Sequence, residues 1–280
     1  MKQGVLNQGL RLPRSYLFVP ANRPDRIGKA LAAGADAVIV DFEDAVAPAD
    51  KALARENLCA PWPALAQQAV DAGVLLLVRV NAAGTPYHDD DIGWCRALGI
   101  DTLVLPKADA EAMQQLRQAL PGVQCHALLE TAAGFAQLAQ VAAQPGVVRL
   151  LFGSIDLMGD LGVGDEGEPL HAFRSLLVLH SRAAGLPAPV DGVCTALGDT
   201  AVLAAETARA RAFGFGAKLL IHPAQVGPVH GGLAPTEAER GWARRVVEAA
   251  ASADGAAVAV DGKMVDRPVL ERARRILADG

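Results

Sequence analysis

A chain of 280 residues, 51% hydrophobic and 20% charged, can bury a large core and lies in the size range of a single α/β barrel, which excludes a disordered chain. A net charge of -5 with only 4% aromatic residues leaves no basic surface for tracking phosphates and little stacking area for bases, so nucleic acid is not an expected partner. The four cysteines, Cys59, Cys95, Cys125 and Cys194, are far apart with no CxxC spacing; they are expected as buried small residues, not as a zinc cluster or a disulfide framework. The leader MKQGVLNQGLRLPR has no apolar core behind its charges, and no later segment approaches the ~18 apolar residues that span a bilayer. A soluble, cytoplasmic protein with no membrane partner is expected.

The elements alternate from the start. SYLFVP at 15 to 20 reads as a strand, and NRPD at 22 to 25 offers a cap with proline in the first turn of a helix that ends at Gly34. AVIV at 37 to 40 is a second strand running into DFED at 41 to 44. An Ala-rich helix over about 48 to 71 leads to a strand at 75 to 80, and a helix near 89 to 98 leads to TLVLPK at 102 to 107. A helix at 109 to 119 leads to HALLE at 126 to 130, and another at 132 to 143 leads to a strand expected to end at Asp156. Beyond a Gly-rich loop at 159 to 167 come a helix at 170 to 184, a short strand near 189 to 193, a helix at 199 to 213 and KLLIHP at 218 to 223. A helix near 235 to 251 completes eight strand-helix units.

Such alternation demands a parallel sheet, and eight units fit a TIM (β/α)8 barrel better than an open sheet. The barrel is expected over 12–252. Residues 253–280, with a hairpin around DGK at 261 to 263 and a last amphipathic helix, form an extension expected to act as a lid or an oligomer contact.

In a parallel barrel the strand C-termini share one face, so their terminal residues converge whatever their separation in sequence. Those residues are Asp41, Glu43, Asp44, Arg79, Asn81, Lys107, Glu130, Asp156 and His222. Glu130 and Asp156, at the ends of two successive strands, are the candidate ligands for a hard divalent cation; Mg²⁺ suits them, because it takes one or two protein carboxylates and keeps sites for water and substrate. Each also has a structural reading as a cap of the helix or turn that follows. Arg79 either pairs with the acids or forks around a substrate carboxylate. For Lys107 a salt bridge to the acids is favoured over Schiff-base chemistry. Asp41, Glu43 and Asp44 also have partners available in Arg14 or Arg23, and His222 reads as a wall residue.

Together RSYLFVPANRPDR at 14 to 26, DAVIVDFEDAVAPADKALAR at 36 to 55, VRVNAAGTPYHDDD at 78 to 91, LPK at 105 to 107, LLETAAG at 128 to 134, FGSIDLMGDLG at 152 to 162 and GAKLLIHPAQV at 216 to 226 resemble the citrate lyase β subunit family. That family belongs with the HpcH/HpaI aldolases and the malyl-CoA and citramalyl-CoA lyases. The resemblance implies a Mg²⁺-dependent carbon–carbon lyase acting between a 2-oxo acid and a CoA thioester, in a homo-oligomer such as a homotrimer. It implies Glu130 and Asp156 as metal ligands, Arg79 on the oxo-acid carboxylate with Arg14 and Glu130 also at the substrate, and Asp41, Glu43, Asp44 and Lys107 around them. It further implies Asp266, in GKMVDRPVL at 262 to 270, as an acid/base delivered across a subunit contact. One departure stands out: Ile155 precedes Asp156 where the family often has an acid. A thioesterase or free-acid aldolase on the same site, a subunit of an acyl-carrier complex, and a metabolite-binding barrel without turnover are the alternatives.

Overall fold

The computed structural model describes residues 12–252 and 258–278. Eight strands, β1 (Ser15–Pro20), β2 (Ala37–Asp41), β3 (Leu75–Arg79), β4 (Thr102–Leu105), β5 (Gln124–Leu129), β6 (Val147–Phe152), β7 (Val190–Asp191) and β8 (Ala217–Leu220), close into a barrel in sequence order. Every neighbouring pair is parallel, and β1 pairs with β8 to complete the ring. One set of alternate side chains, among them Tyr16, Ile39, Leu77, Val104, Leu128, Leu151 and Leu219, packs into the interior. The alternate set, such as Val38, Val40 and Leu103, is also fully buried. Burial on both faces is why the strands read as unbroken apolar runs instead of alternating ones.

The structure redraws several expected boundaries. The Ala-rich stretch is two helices, Lys51–Cys59 and Trp62–Ala72, because Pro61 and Pro63 lack the N–H groups a continuous helix needs. The helix expected at 132 to 143 likewise divides, at Gln137, into Ala132–Ala136 and Leu138–Ala143. β7 shrinks to two residues directly after Pro187 and Pro189, with one register pair to β6 and two to β8. β6 stops at Phe152, so Asp156 stands in the first turn of the helix Ser154–Leu161 and not at a strand end. Cys95, Cys125 and Cys194 are buried as free thiols, whereas Cys59 is exposed near the end of its helix.

The chain forms two compact units, one ending at His230 and one beginning at Gly231. The helix Glu237–Ser252 shares an apolar core of Ala243, Val246, Val260, Ala273 and Ile276 with an antiparallel hairpin, Val258–Val260 and Lys263–Val265, and with the helix Arg267–Ala278. Asp261 and Gly262 both take positive φ, 50° and 74°, which matches a tight two-residue turn to the strand twist. Among the described residues no helix is long and apolar enough to cross a membrane.

Candidate active site

At the C-terminal ends of the strands lies a cavity of about 470 Å³ lined by Asp41, Asp44, Arg79, Glu130, Asp156 and a set of apolar side chains. Its polar half is built by short, rigid devices. Asp41 is the last residue of β2, and its carboxylate accepts hydrogen bonds from the backbone N–H groups of Glu43 (2.9 Å) and Ala45 (3.1 Å), which curls DFED back over the strand end. The buried Lys51 ammonium donates to the carbonyls of Phe42 (2.6 Å) and Glu43 (2.7 Å) and holds the same turn from behind.

Arg79 ends β3, 7% exposed, and its guanidinium meets all three acids of that turn. Nε and Nη2 each donate to Asp41 at 2.7 Å, and Nη2 also lies 3.1 Å from Asp44. Nη1 is 3.0 Å from Glu43 Oε2 without hydrogen-bond geometry, and that oxygen is a buried acceptor with no hydrogen bond. The bidentate face of the arginine is thus filled by Asp41, and its Nη1 edge faces Glu43. Burial opposes the charge on Arg79, but Asp41 first, then Glu43 and Asp44, outweigh it and raise its pKa further.

Glu130 follows β5 directly and is 1% exposed. The adjoining helix is capped by Thr131, whose hydroxyl accepts from the Gly134 N–H at 3.1 Å, so Glu130 is not needed as a cap. Glu130 Oε1 accepts instead from the backbone N–H of Lys107 at 2.8 Å. Lys107 adopts a left-handed backbone, φ 48°, uncommon for a residue with a side chain. That turn aims its N–H at Glu130 while its ammonium donates to Glu43 Oε1 at 2.7 Å. The other face of Glu130 rests on Gly153, where an added Cβ would collide with Glu130 Cβ and Oε2. Asp156 stands exposed in the cavity wall and accepts no hydrogen bond among the described residues.

Burial, then the charges of Glu43 and Asp156, raise the Glu130 carboxyl well above its ordinary value. Burial also raises Glu43, against the pull of Arg79 and Lys107. Burial pulls Lys107 down, but its hydrogen bond to Glu43 and the charges of Glu43, Glu130 and Asp156 prevail and leave it raised. These carboxylates are short of positive charge, and a divalent cation relieves such a deficit. The donors suit a hard one: an oxygen pair, Glu130 and Asp156, with one carboxylate idle. Among the described residues no three His, Cys, Asp or Glu side chains converge as a cage. Mg²⁺ does not require such a cage, since it commonly takes one or two carboxylates and completes its shell with water and substrate.

One expected site residue of the barrel lies away from the cavity. Arg14 precedes β1, about 20 Å of strand away from the cavity-lining Pro20, and its backbone N–H and guanidinium both face Asp36. It does not line the cavity, and the DFED acids do not pair with it or with Arg23, which pairs with Asp25. Asp266 belongs to the second unit, exposed, with its carboxylate accepting from the Val269 N–H at 3.0 Å as the cap of the last helix. His222 caps a short turn by accepting from the Ala224 N–H at 3.2 Å.

Other residues escaped the sequence reading. Ser154 Oγ donates to Glu166 at 2.8 Å; Arg174, fully buried, bridges Glu166 and Asp191; and Lys218 joins Asp191 to Glu206. This network ties the helix of Asp156 to β7 and β8. Its visible signal was a lysine inside the apolar strand AKLL and an arginine at a core position of its helix. Gly153 and Lys51 gave no comparable signal.

The HpcH/HpaI aldolase/citrate lyase family model matches residues 14–223. The chain belongs to the HpcH/HpaI aldolase/citrate lyase family. A citrate lyase subunit beta-like protein of Deinococcus radiodurans is 37% identical over 98% of this chain and 99% of its own length. A (3S)-malyl-CoA thioesterase of Cereibacter sphaeroides is 36% identical over 95% and 93%. Among solved structures, protein CitE from Mycobacterium tuberculosis in complex with magnesium, acetoacetate and coenzyme A superposes with a TM-score of 0.82 at 33% identity, over 95% of this chain and 97% of that one. The family membership fits the closed barrel with its acids gathered at the strand C-termini.

Proposed function

We propose that this HpcH/HpaI family member is a Mg²⁺-dependent carbon–carbon lyase that cleaves a short 2-hydroxyacyl-CoA of the malyl, citramalyl or citryl type into a 2-oxo acid and an acyl-CoA. The observation that carries the reading is the geometry of Glu130: pinned by the Lys107 N–H, backed by Gly153, and facing an Asp156 carboxylate with no hydrogen bond of its own. The magnesium, acetoacetate and coenzyme A held by the related CitE structure support the metal and thioester parts of the reading.

In this reading Glu130 and Asp156 hold the ion, which supplies Lewis-acid stabilisation of charge on the oxygen that becomes the ketone. The Nη1 edge of Arg79 orients the oxo-acid carboxylate, and Asp41, Asp44 and Glu43 fix that edge in place. Cleavage breaks the bond between the hydroxyl-bearing carbon and the thioester α-carbon. The electron pair passes to the α-carbon as an enolate, the hydroxyl proton goes to a base, and the α-carbon takes up a proton. By its motif, Asp266 of a neighbouring copy in a homo-oligomer is assigned that last transfer. Lys107 is engaged by Glu43 and serves as a positioning group, not as a Schiff-base lysine.

The similarity to a (3S)-malyl-CoA thioesterase supports a second reading, hydrolysis of the thioester on the same site. Incubation of the protein and Mg²⁺ with a panel of hydroxyacyl-CoA thioesters, following oxo acid and free CoA separately, distinguishes them. Oxo acid without free CoA supports the lyase, and free CoA without oxo acid supports the thioesterase. No product from any thioester, alone or with an acyl-carrier protein, contradicts both.

A further inference from the structure

The cavity is divided by charge, and the division bears on which oxo acid it accepts. The carboxylates and Arg79 all come from the β2, β3, β5 and β6 side, whereas the β7–β8–β1 side contributes Val193, Leu219, Ile221, Phe18 and Pro20, with Thr195 as its one polar side chain. Ile155, 44% exposed, extends the apolar surface beside Asp156. Among the described residues that line the cavity, Arg79 is the sole cation, and three carboxylates already surround it.

We propose that the site selects a monocarboxylic 2-oxo acid bearing an alkyl substituent, of the pyruvate or 2-oxobutanoate kind, and discriminates against dicarboxylic ones such as oxaloacetate. This rests on the oxo-acid reading above. A 2-oxo acid that presents its carboxylate and keto oxygens to the polar half turns its remaining substituent toward the apolar half. A methyl or ethyl group gains there by leaving water. A second carboxylate would lose its hydration against Val193, Leu219 and Ile221 with no cationic side chain among the described lining residues there to replace it, beside four lining acids that repel it. The discrimination therefore comes from an unpaired charge, which separates ligands more strongly than a missing contact does.

The test is isothermal titration of the full-length protein with saturating Mg²⁺, using pyruvate, 2-oxobutanoate and freshly prepared oxaloacetate in turn. The expected result is 2-oxobutanoate at least as tight as pyruvate and oxaloacetate weaker by ~30-fold or more, the penalty of one buried unpaired charge. Oxaloacetate within about threefold of pyruvate overturns the selectivity while leaving the oxo-acid site standing. Absence of binding by all three overturns the oxo-acid reading itself and the inference with it. Ile221→Arg, at a position 39% exposed and able to carry a charge, places a cation in the apolar half. It is expected to shift the oxaloacetate-to-pyruvate affinity ratio upward by ~10-fold. An unchanged ratio in the folded variant counts against the proposal, and the wild-type series decides the matter if that variant does not fold.

Discussion

Gly153→Ala tests how tightly the Glu130 carboxylate is seated. Gly153 has φ -91° and ψ 75°, outside the left-handed region, so the substitution carries no left-handed backbone penalty. The collision is instead with Glu130 itself, whose Cβ and Oε2 occupy the space the new methyl requires. Retreat of the backbone is opposed by the Gly153 N–H, which donates to the Leu129 carbonyl at 3.0 Å, and retreat of Glu130 by the Lys107 N–H at 2.8 Å. Overpacking of this kind costs about 1–3 kcal/mol, which lowers the melting temperature by roughly 2–10 °C for a chain of this size. Because the strain falls on a proposed metal ligand, Mg²⁺ affinity is expected to drop by ~10-fold or more. Thermal melts across a Mg²⁺ titration read both quantities: the variant should melt lower without Mg²⁺ and require more Mg²⁺ for its stabilisation. A variant that melts like wild type and keeps the same Mg²⁺ midpoint would refute the packing of Glu130 on Gly153.

Three further expectations follow from neighbouring geometry. Lys107→Gly removes an ammonium but relieves a left-handed residue, worth ~1–2 kcal/mol, against a half-exposed ion pair of ~0–1 kcal/mol. Its melting temperature should match or exceed wild type while turnover falls, and a large loss of stability would contradict the strain. Arg79→Ala strands the buried carboxylates of Asp41 and Glu43, so denaturant unfolding should show a loss of ~3–5 kcal/mol. An unchanged midpoint would show that the acids do not depend on the arginine.

His126, inside the barrel near Tyr16 and Arg149, is held down to about 3 by burial first and by the Arg149 charge second. The unfolded chain binds a proton there below the ordinary value of about 6.5 and the fold does not, so stability is lost as pH falls from that value toward 3. Between pH 7 and pH 5 the loss is ~2 kcal/mol, and His126→Gln should flatten that part of the stability profile. An equally steep profile in the variant would remove His126 as its cause.

The barrel was legible because its strands are buried on both faces and read as apolar runs separated by helices, so alternation survives even where β7 shrinks to two residues. Convergence of Asp41, Arg79 and Glu130 followed from topology alone, since parallel strands bring their ends together. What stayed hidden was determined by backbone geometry. The helix that carries Asp156 begins at Ser154 inside what reads as a continuing strand end, and the role of Gly153 depends on a side chain 23 positions earlier. Lys51 looks like a surface lysine until the turn at Phe42 and Glu43 folds onto it. Arg14 was misplaced because its motif adjoins the site in sequence, although it stands at the opposite end of β1. Arg79 had two readings, a partner of the acids or a fork for substrate, and the structure shows the first: its bidentate face holds Asp41 and its Nη1 edge faces Glu43.

The most direct test of the proposed site is the coupling between Mg²⁺ and pyruvate in calorimetry. If Glu130 and Asp156 hold the ion and the ion holds the oxo acid, pyruvate should bind with Mg²⁺ present, fail to bind after chelation, and fail to bind to folded Asp156→Asn at any Mg²⁺ concentration tested. Pyruvate binding of equal strength with and without Mg²⁺, or unchanged in Asp156→Asn, would contradict it.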